Sequence, residues 1–525
     1  MSRKLLIAAI SAAFLFGFIY RIFPVFAGDA ALAQFFITED GYLMLTVARN
    51  MAIGLGMTVS EGTIATNGIQ PLATFIFTIP YMLADGDKLV SLNGIVLISA
   101  AISVAVFFAL QRFAQLILSP FTDDTVWSWL VAGLWFVGPG LLLHSMNALE
   151  TGLYTLTILI TLLQFARVLE MGAESRFFDR MVLGAFCGIM FLARIDGALL
   201  VVAIFVVWGF YEWLGLGFKF FSAVARLIPP GLLSLVFAAP WLTYNYLLFG
   251  KIIPISGISQ SLGAGFGSNL SLLPSKLFEY LFPMLPVPGA IEQSSIGIVL
   301  FAVVVVLMLG LFVASVFRAG GVPRLVVAAY LIFGVLLASY YSLYFGAPHF
   351  FSRYMAPLAP LLISATVVVG LKLVEWSQSR VSYSTVHVLG IVSILLSLGL
   401  LGRLLVPGVK DQGHFQVVEW IDQNVPDETW IGAVQTGTLG YWHDRTFNLD
   451  GKVNPDALRA IRAQGDVLEY VLDSDIQYLA DWSAIAEWPE RDRARETPFA
   501  NTFEVVVKDD VANLGVLRRV PDPSS

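Results

Sequence analysis

The chain is short of charge, of cysteine and of histidine, and each shortage removes a class of protein. Only 13 % of its 525 residues are charged against 57 % hydrophobic, with a mean hydropathy of +0.77, which excludes an ordinary soluble globule. The single cysteine, Cys187, lies inside an apolar run, so no disulfide framework exists and the thiol reads as a small core residue. Five histidines without a spaced cluster make His144 a lone satisfied side chain rather than a metal ligand. HExxH, CxxC and P-loop patterns are absent, so use of ATP or a nucleotide sugar has no support. No repeat of fixed period and no low-complexity tract is present.

The charge that is there is unevenly spread. Residues 407–525 carry 21 acidic and 11 basic residues, and residues 1–406 carry 17 acidic and 20 basic. A boundary near Pro407 therefore divides a transmembrane domain, 1–406, from a water-soluble domain, 407–525. The acidic balance of the second argues against a nucleic-acid partner. Within it, helical stretches at 415–424 and 454–473 alternate with β-rich pieces such as "TWIGAV", "TFNLD", "IQYLADW", "TFEVVVKDD" and "NLGVLRRV", which predicts a small α/β domain.

Crossing the hydrocarbon takes roughly 17 to 25 mainly apolar residues. Eleven runs qualify, near 4–26, 89–111, 126–144, 151–169, 181–195, 197–215, 223–248, 295–317, 324–345, 355–374 and 385–406. The run "IQPLATFIFTIPYML" at 69–83 is short, holds two prolines and ends in "ADGDK", and reads as an interfacial or re-entrant helix. If it does not cross, one side collects Arg3, Lys4, Arg112, Arg167, Arg176, Arg180, Lys219, Arg226, Arg318, Arg324, Lys372 and Arg380. The other side keeps Arg49, Lys88, Lys251, Lys276 and Arg353, which is the positive-inside bias. With an odd number of spans this orients a multi-pass protein with its N-terminus inside and the 407–525 domain outside, and the expected location is a cytoplasmic (inner) membrane with that domain in the periplasm. The start "MSRKLLIAAISAAFLFGFIY" also fits a cleaved signal peptide, but the apolar run continues to Ala27 and an uncleaved first span is the preferred reading. Two long outer loops result, 27–88 and 249–294. The second carries a short surface helix at 275–283 and is either a lid or a plain connection.

The first outer loop contains "TEDGYLMLTVARNMAIGLG" at 38–56. Leu43, Val47 and Met51 recur every four residues, which predicts a helix lying along the membrane surface and ending at Gly54 and Gly56. Glu39 and Asp40 stand at its N-terminus, where a carboxylate either caps the helix or does chemistry. The stretch "EDGYLMLTVARNMAIGLGMTVSEGTIATNGIQPL" resembles the first extracytoplasmic loop of GT-C superfamily glycosyltransferases, especially bacterial ones that use polyprenyl-phosphate sugars. Further similar segments follow in order: "NALETGLY", "LARIDGALL", "PWLTYNYLLFGKIIPIS", "FSRYMAPLAPLL", "VVEWIDQNVPDETWIGAVQTGTLGYW" and "NLDGKVNPDAL". Where the family usually has R-P-D/E-G, this chain has "RIDG".

The resemblance implies a mainly α polytopic membrane protein of GT-C type with about eleven transmembrane helices and a C-terminal α/β soluble domain. It implies a hexosyl- or pentosyltransferase that moves a sugar from a polyprenyl-phosphate donor to a glycan, lipid or protein acceptor at the surface of membrane lipids. Asp40 is then the first candidate for general base and Glu39 the second. Arg353 is expected to hold the donor phosphate by its fork, supported by Tyr354 and His349, with Lys251 a further candidate and snorkelling the alternative for Arg353. Glu150 is either a helix-start acid or a functional carboxylate touching acceptor or metal. Arg194 and Asp196 read as a structural pair, and Trp442, His443 and Asp444 as sugar contacts or domain packing. No motif demands a cofactor, and a divalent metal ion stays open. The competing readings are a transporter or flippase of a lipid-linked glycan and a non-catalytic membrane assembly protein. Transporters favour functional charges near mid-bilayer and paired repeats, whereas here the acids cluster at one face and no repeat appears.

Overall fold

The computed structural model describes residues 2–377, 382–405, 414–493 and 498–521. The expected boundary at Pro407, and Arg380 of the charge count, lie outside the described residues.

Apolar runs become long helices because the helix satisfies every backbone polar group within one segment. Nine helices among the described residues are long and apolar enough to cross a membrane, ten if the bent pair Val126–Val137 and Pro139–Met146 is one span. That pair turns by 64° at Gly138, where Pro139 brings no N–H for the preceding turn. The run expected at 181–195 is the helix Phe177–Ala193, whose 17 residues reach roughly 26 Å at the usual rise. The 69–83 run forms the 13-residue helix Pro71–Leu83, too short to span. Pro80 of this helix lies against Gly94 of the helix Lys88–Leu118, where an added Cβ would fall 2.7 Å from the proline ring.

The C-terminal part holds a five-stranded sheet. Its strands are β3 (Ile431–Ala433), β4 (Thr446–Asn448), β5 (Tyr478–Asp481), β6 (Phe503–Asp509) and β7 (Leu514–Arg519), numbered after the short hairpin β1 (Thr58–Val59) and β2 (Ile64–Ala65). The order is β4-β3-β5-β7-β6, with β3 parallel to β4 and β5, and β7 antiparallel to β5 and β6. The helix Phe415–Asn424 forms as expected, whereas the stretch 454–473 breaks into Pro455–Gln464 and Leu468–Leu472 because Gly465 takes φ 88°. A helix at Gly437–Trp442 was not foreseen.

The expected surface helix is the helix Glu39–Ala52, and it is not on the surface: residues 41–48 are all buried. One side packs on Pro71–Leu83 and the other lies under Gly437–Trp442 of the C-terminal part. Glycines allow the approach. A Cβ on Gly437 would meet the Glu39 carbonyl oxygen at 1.7 Å, and one on Gly41 would meet the Asn147 oxygen at 2.2 Å. Amphipathic spacing alone does not separate a helix covered by lipid headgroups from one covered by its own chain.

Candidate active site

The C-terminal part covers one end of the helical bundle, and beneath it lies a cavity of about 310 Å³. Its wall takes Asp40 from the start of Glu39–Ala52, Arg353 from the short helix Phe351–Met355, and Lys452 from the turn after β4. These residues are far apart in sequence and meet here. Both outer guanidinium nitrogens of Arg353 donate to one Asp40 oxygen at 3.3 Å, and the Lys452 ammonium stands 3.6 Å from the other. Arg353 also donates to the Tyr354 hydroxyl at 3.4 Å, while its buried Nε has no hydrogen-bond partner among the described residues.

Lys452 was not singled out by the sequence, and local turn chemistry aims it. Asp450 accepts the Lys452 backbone N–H at 2.8 Å and its ammonium at 3.2 Å, while Gly451 takes φ 75°. Gly68 lets the turn dock, since a Cβ there would lie 2.0 Å from the Lys452 carbonyl oxygen. Ser259 holds the same turn from the other side by donating to the Asp450 carbonyl at 2.7 Å. Burial would raise the Asp40 carboxyl, but the charges of Lys452 and Arg353 outweigh it and hold the group below the ordinary carboxylate range. Burial would lower the Lys452 ammonium, and Asp450 and Asp40 together push it above the usual lysine range.

A second ionic cluster lines the deeper wall. Arg194 donates to Glu150 at 2.8 Å, to Asp196 at 2.9 Å and to the Tyr341 hydroxyl at 2.8 Å, and Tyr341 donates onward to Asp196 at 2.7 Å. The expected Arg194 and Asp196 pair is present, and Glu150 completes it. Tyr341 stacks on Tyr354 with ring centres 4.3 Å apart, and the Tyr354 hydroxyl donates to Gln260 at 3.0 Å, so the two clusters share an aromatic bridge.

The other expected residues fall elsewhere. Glu39 points away from the cavity and accepts the backbone N–H groups of Gly437 and Thr438 and the Thr438 hydroxyl, so it caps a helix, though not its own. The N-cap position of its own helix is Thr38. The two adjacent acids diverge because consecutive helical side chains point to different faces. His349 is exposed and does not line the cavity. Lys251 lines a different cleft, beyond the helix Ile255–Ser261. Asp444 pairs with Arg49 and Lys88, each at 3.1 Å, and Tyr441 packs on Tyr42, so the segment around Trp442 docks the C-terminal part onto the first loop. From the second loop the Tyr280 hydroxyl donates to the Ser352 carbonyl at 2.6 Å, beside Arg353.

Among the described residues no group of three His, Cys, Asp or Glu side chains could hold a metal ion. The carboxylates lining the cavity each already face a cation, so this donor set does not fit a divalent ion.

A family model described as a domain of unknown function, DUF8728, matches residues 407–509. No curated protein matches the chain. Among solved structures, ArnT from Cupriavidus metallidurans bound to undecaprenyl phosphate is similar with a TM-score of 0.58 and 14 % identity, over 99 % of each chain. The archaeal oligosaccharyltransferase AglB from Archaeoglobus fulgidus, in complex with an inhibitory peptide and a dolichol-phosphate, has a TM-score of 0.54 and 12 % identity, over 99 % of this chain and 75 % of that one. The chain has the GT-C fold, that of a polytopic membrane protein with a C-terminal soluble domain.

Proposed function

We propose that this protein is an integral-membrane glycosyltransferase. It moves a sugar from a polyprenyl-phosphate donor to an extracytoplasmic glycan, lipid or protein acceptor, with its N-terminus in the cytoplasm and its C-terminal part in the periplasm. The observation that carries the reading is the meeting of one carboxylate with two cations in a cavity at the end of the membrane bundle. A lipid-linked sugar keeps its tail in the bilayer and its phosphate at headgroup level, so polar chemistry at that depth needs such a site. The polyprenyl phosphates held by ArnT and AglB support this class of carrier.

In the reaction, Asp40 takes the proton of an acceptor hydroxyl as its oxygen bonds to the anomeric carbon. The bond from that carbon to the phosphate oxygen breaks, and its electron pair leaves with the phosphate. Arg353 and Lys452 stabilise that departing charge. A single base suffices for an inverting transfer, without the second carboxylate of a retaining glycosidase. The ion pairs that hold Asp40 also make it a weak base. A donor phosphate competes for the same two cations, so its arrival loosens their hold and lets the carboxyl rise toward its ordinary range. Base strength therefore follows donor binding.

The test is incubation of purified protein with a panel of polyprenyl-phosphate sugars, following loss of the lipid donor. Consumption of one donor with an acceptor present supports the reading, and no consumption of any across a broad panel overturns it.

A further inference from the structure

Beyond the helix Ile255–Ser261 lies a second cleft, of about 640 Å³. One face of this helix, with Ser256, Gly257 and Gln260, lines the Asp40 cavity, while Ile255 and Ile258 line the other cleft. The floor of the cleft is the end of the apolar helix Phe220–Phe249, and its roof is the helix Pro455–Gln464. Three cations converge on it: Lys251 just past the end of the apolar helix, and Arg459 and Arg462 one turn apart on the roof. The one acid in its lining, Asp456, pairs with Arg459 at 3.0 Å. Lys251 and Arg462 are exposed and have no carboxylate within ion-pair distance among the described residues.

What adjoins the cations decides the ligand. Leu247, Leu248 and Ile252 are exposed by 73, 61 and 55 % around Lys251, at the end of a helix apolar and long enough to cross the bilayer. A solvated basic face does not need an apolar apron of this kind, and a purely lipid-facing helix end does not need a roof with two arginines. We propose that this cleft binds an anionic, phosphate-bearing lipid. Its headgroup phosphate lies between Lys251, Arg459 and Arg462, and its chains lie on the exposed end of Phe220–Phe249. The inference goes beyond the transfer reading and does not depend on it, since it concerns binding alone.

Detergent-purified full-length protein, titrated with dioleoyl phosphatidic acid or dioleoyl phosphatidylcholine, is read by native mass spectrometry for retained lipid. Phosphatidic acid is expected to be retained at least tenfold better. The double change Lys251→Gln and Arg462→Gln should remove most of that preference, at about fivefold per basic residue near a membrane surface. Asp456→Asn, which deletes the only acid of the lining, should raise retention instead, and it decides the matter if the double variant does not fold. Equal retention of the two lipids, or a preference unchanged in Asp456→Asn and in a folded double variant, overturns the proposal. Displacement of phosphatidic acid by millimolar inorganic phosphate overturns it too, because the cleft would then hold a free anion and not a lipid.

Discussion

Arg194 and Arg353 face the same cavity and are held in different ways. Arg194 is surrounded by Glu150, Asp196 and Tyr341 at 2.8 to 2.9 Å, and its side chain is 4 % exposed. Arg353 reaches one Asp40 oxygen at 3.3 Å, is 10 % exposed, and leaves its Nε unpartnered among the described residues. The first cluster joins a helix start at Glu150 to the turn at Arg194 and to the helix Gly321–Leu343, all within the bundle of apolar helices. The second joins the first loop, the segment Phe351–Met355 and the C-terminal part. A closed, saturated cluster acts as scaffold. A loose one, built from separately positioned segments, can exchange partners with a ligand.

The largest effect of that contrast is on the folded state. Arg194→Leu leaves Glu150 and Asp196 buried without a cation, and should destabilise the protein by about 3 to 5 kcal/mol, seen as collapse of the folded yield in detergent. Arg353→Leu should leave yield nearly unchanged. Equal losses in yield would erase the distinction between the two clusters.

Donor affinity is the next scale down. Arg353→Lys keeps the charge but not the fork, and should weaken donor binding about tenfold, the worth of one charge-assisted hydrogen bond. Unchanged affinity in a titration with the lipid-linked donor would return Arg353 to a headgroup-anchoring role.

Smaller still is the effect on pH dependence. The Asp40 carboxyl is depressed in the folded protein, so its stabilising contribution is present above the unfolded carboxylate value, about 3.9, and is lost as pH falls through the lower folded value. Lys452→Gln removes the largest of the influences that lower it. The acidic limb of transfer, and the onset of acid destabilisation, should both move up in pH. A limb that stays put would mean that Lys452 does not set the charge of Asp40.

Glu39→Gln should be the mildest of these changes. Gln keeps an acceptor for the N-terminus of Gly437–Trp442 but loses the negative charge, a cost of about 1 kcal/mol that shows as a lower melting temperature with transfer largely kept.

Much of the scaffold was legible before the fold was known, because spans and strands announce themselves by run length and alternation. The eleven apolar runs each correspond to a helix or a bent helix pair, and the five β-rich pieces became β3 to β7. The cavity was only half legible. Asp40 and Arg353 stand beside apolar runs where charge is conspicuous, whereas Lys452 sits in "LDGKVNPD", a polar turn in a charged region, where the resemblance marks the segment but no local pattern picks out the lysine. Its signal was indirect: Gly68, Gly437 and Gly451 sit where two distant backbones touch or the turn needs positive φ, and a single sequence does not say which glycines those are. Glu39 and Asp40 looked equivalent because adjacency in sequence hides the angle between neighbouring helical side chains, and that angle sends one to the C-terminal part and the other to the cavity.

The most direct test is Asp40→Asn, followed in parallel for donor binding and for transfer in a single-turnover experiment. The change preserves size and frees Arg353 and Lys452 from their shared carboxylate. Donor binding is therefore expected to hold or tighten, while transfer falls by about a hundred- to ten-thousand-fold. Near-normal transfer by the folded variant would contradict the assignment of Asp40 as the base. Parallel loss of binding and transfer would contradict it as well, because Asp40 would then serve only to hold the site together.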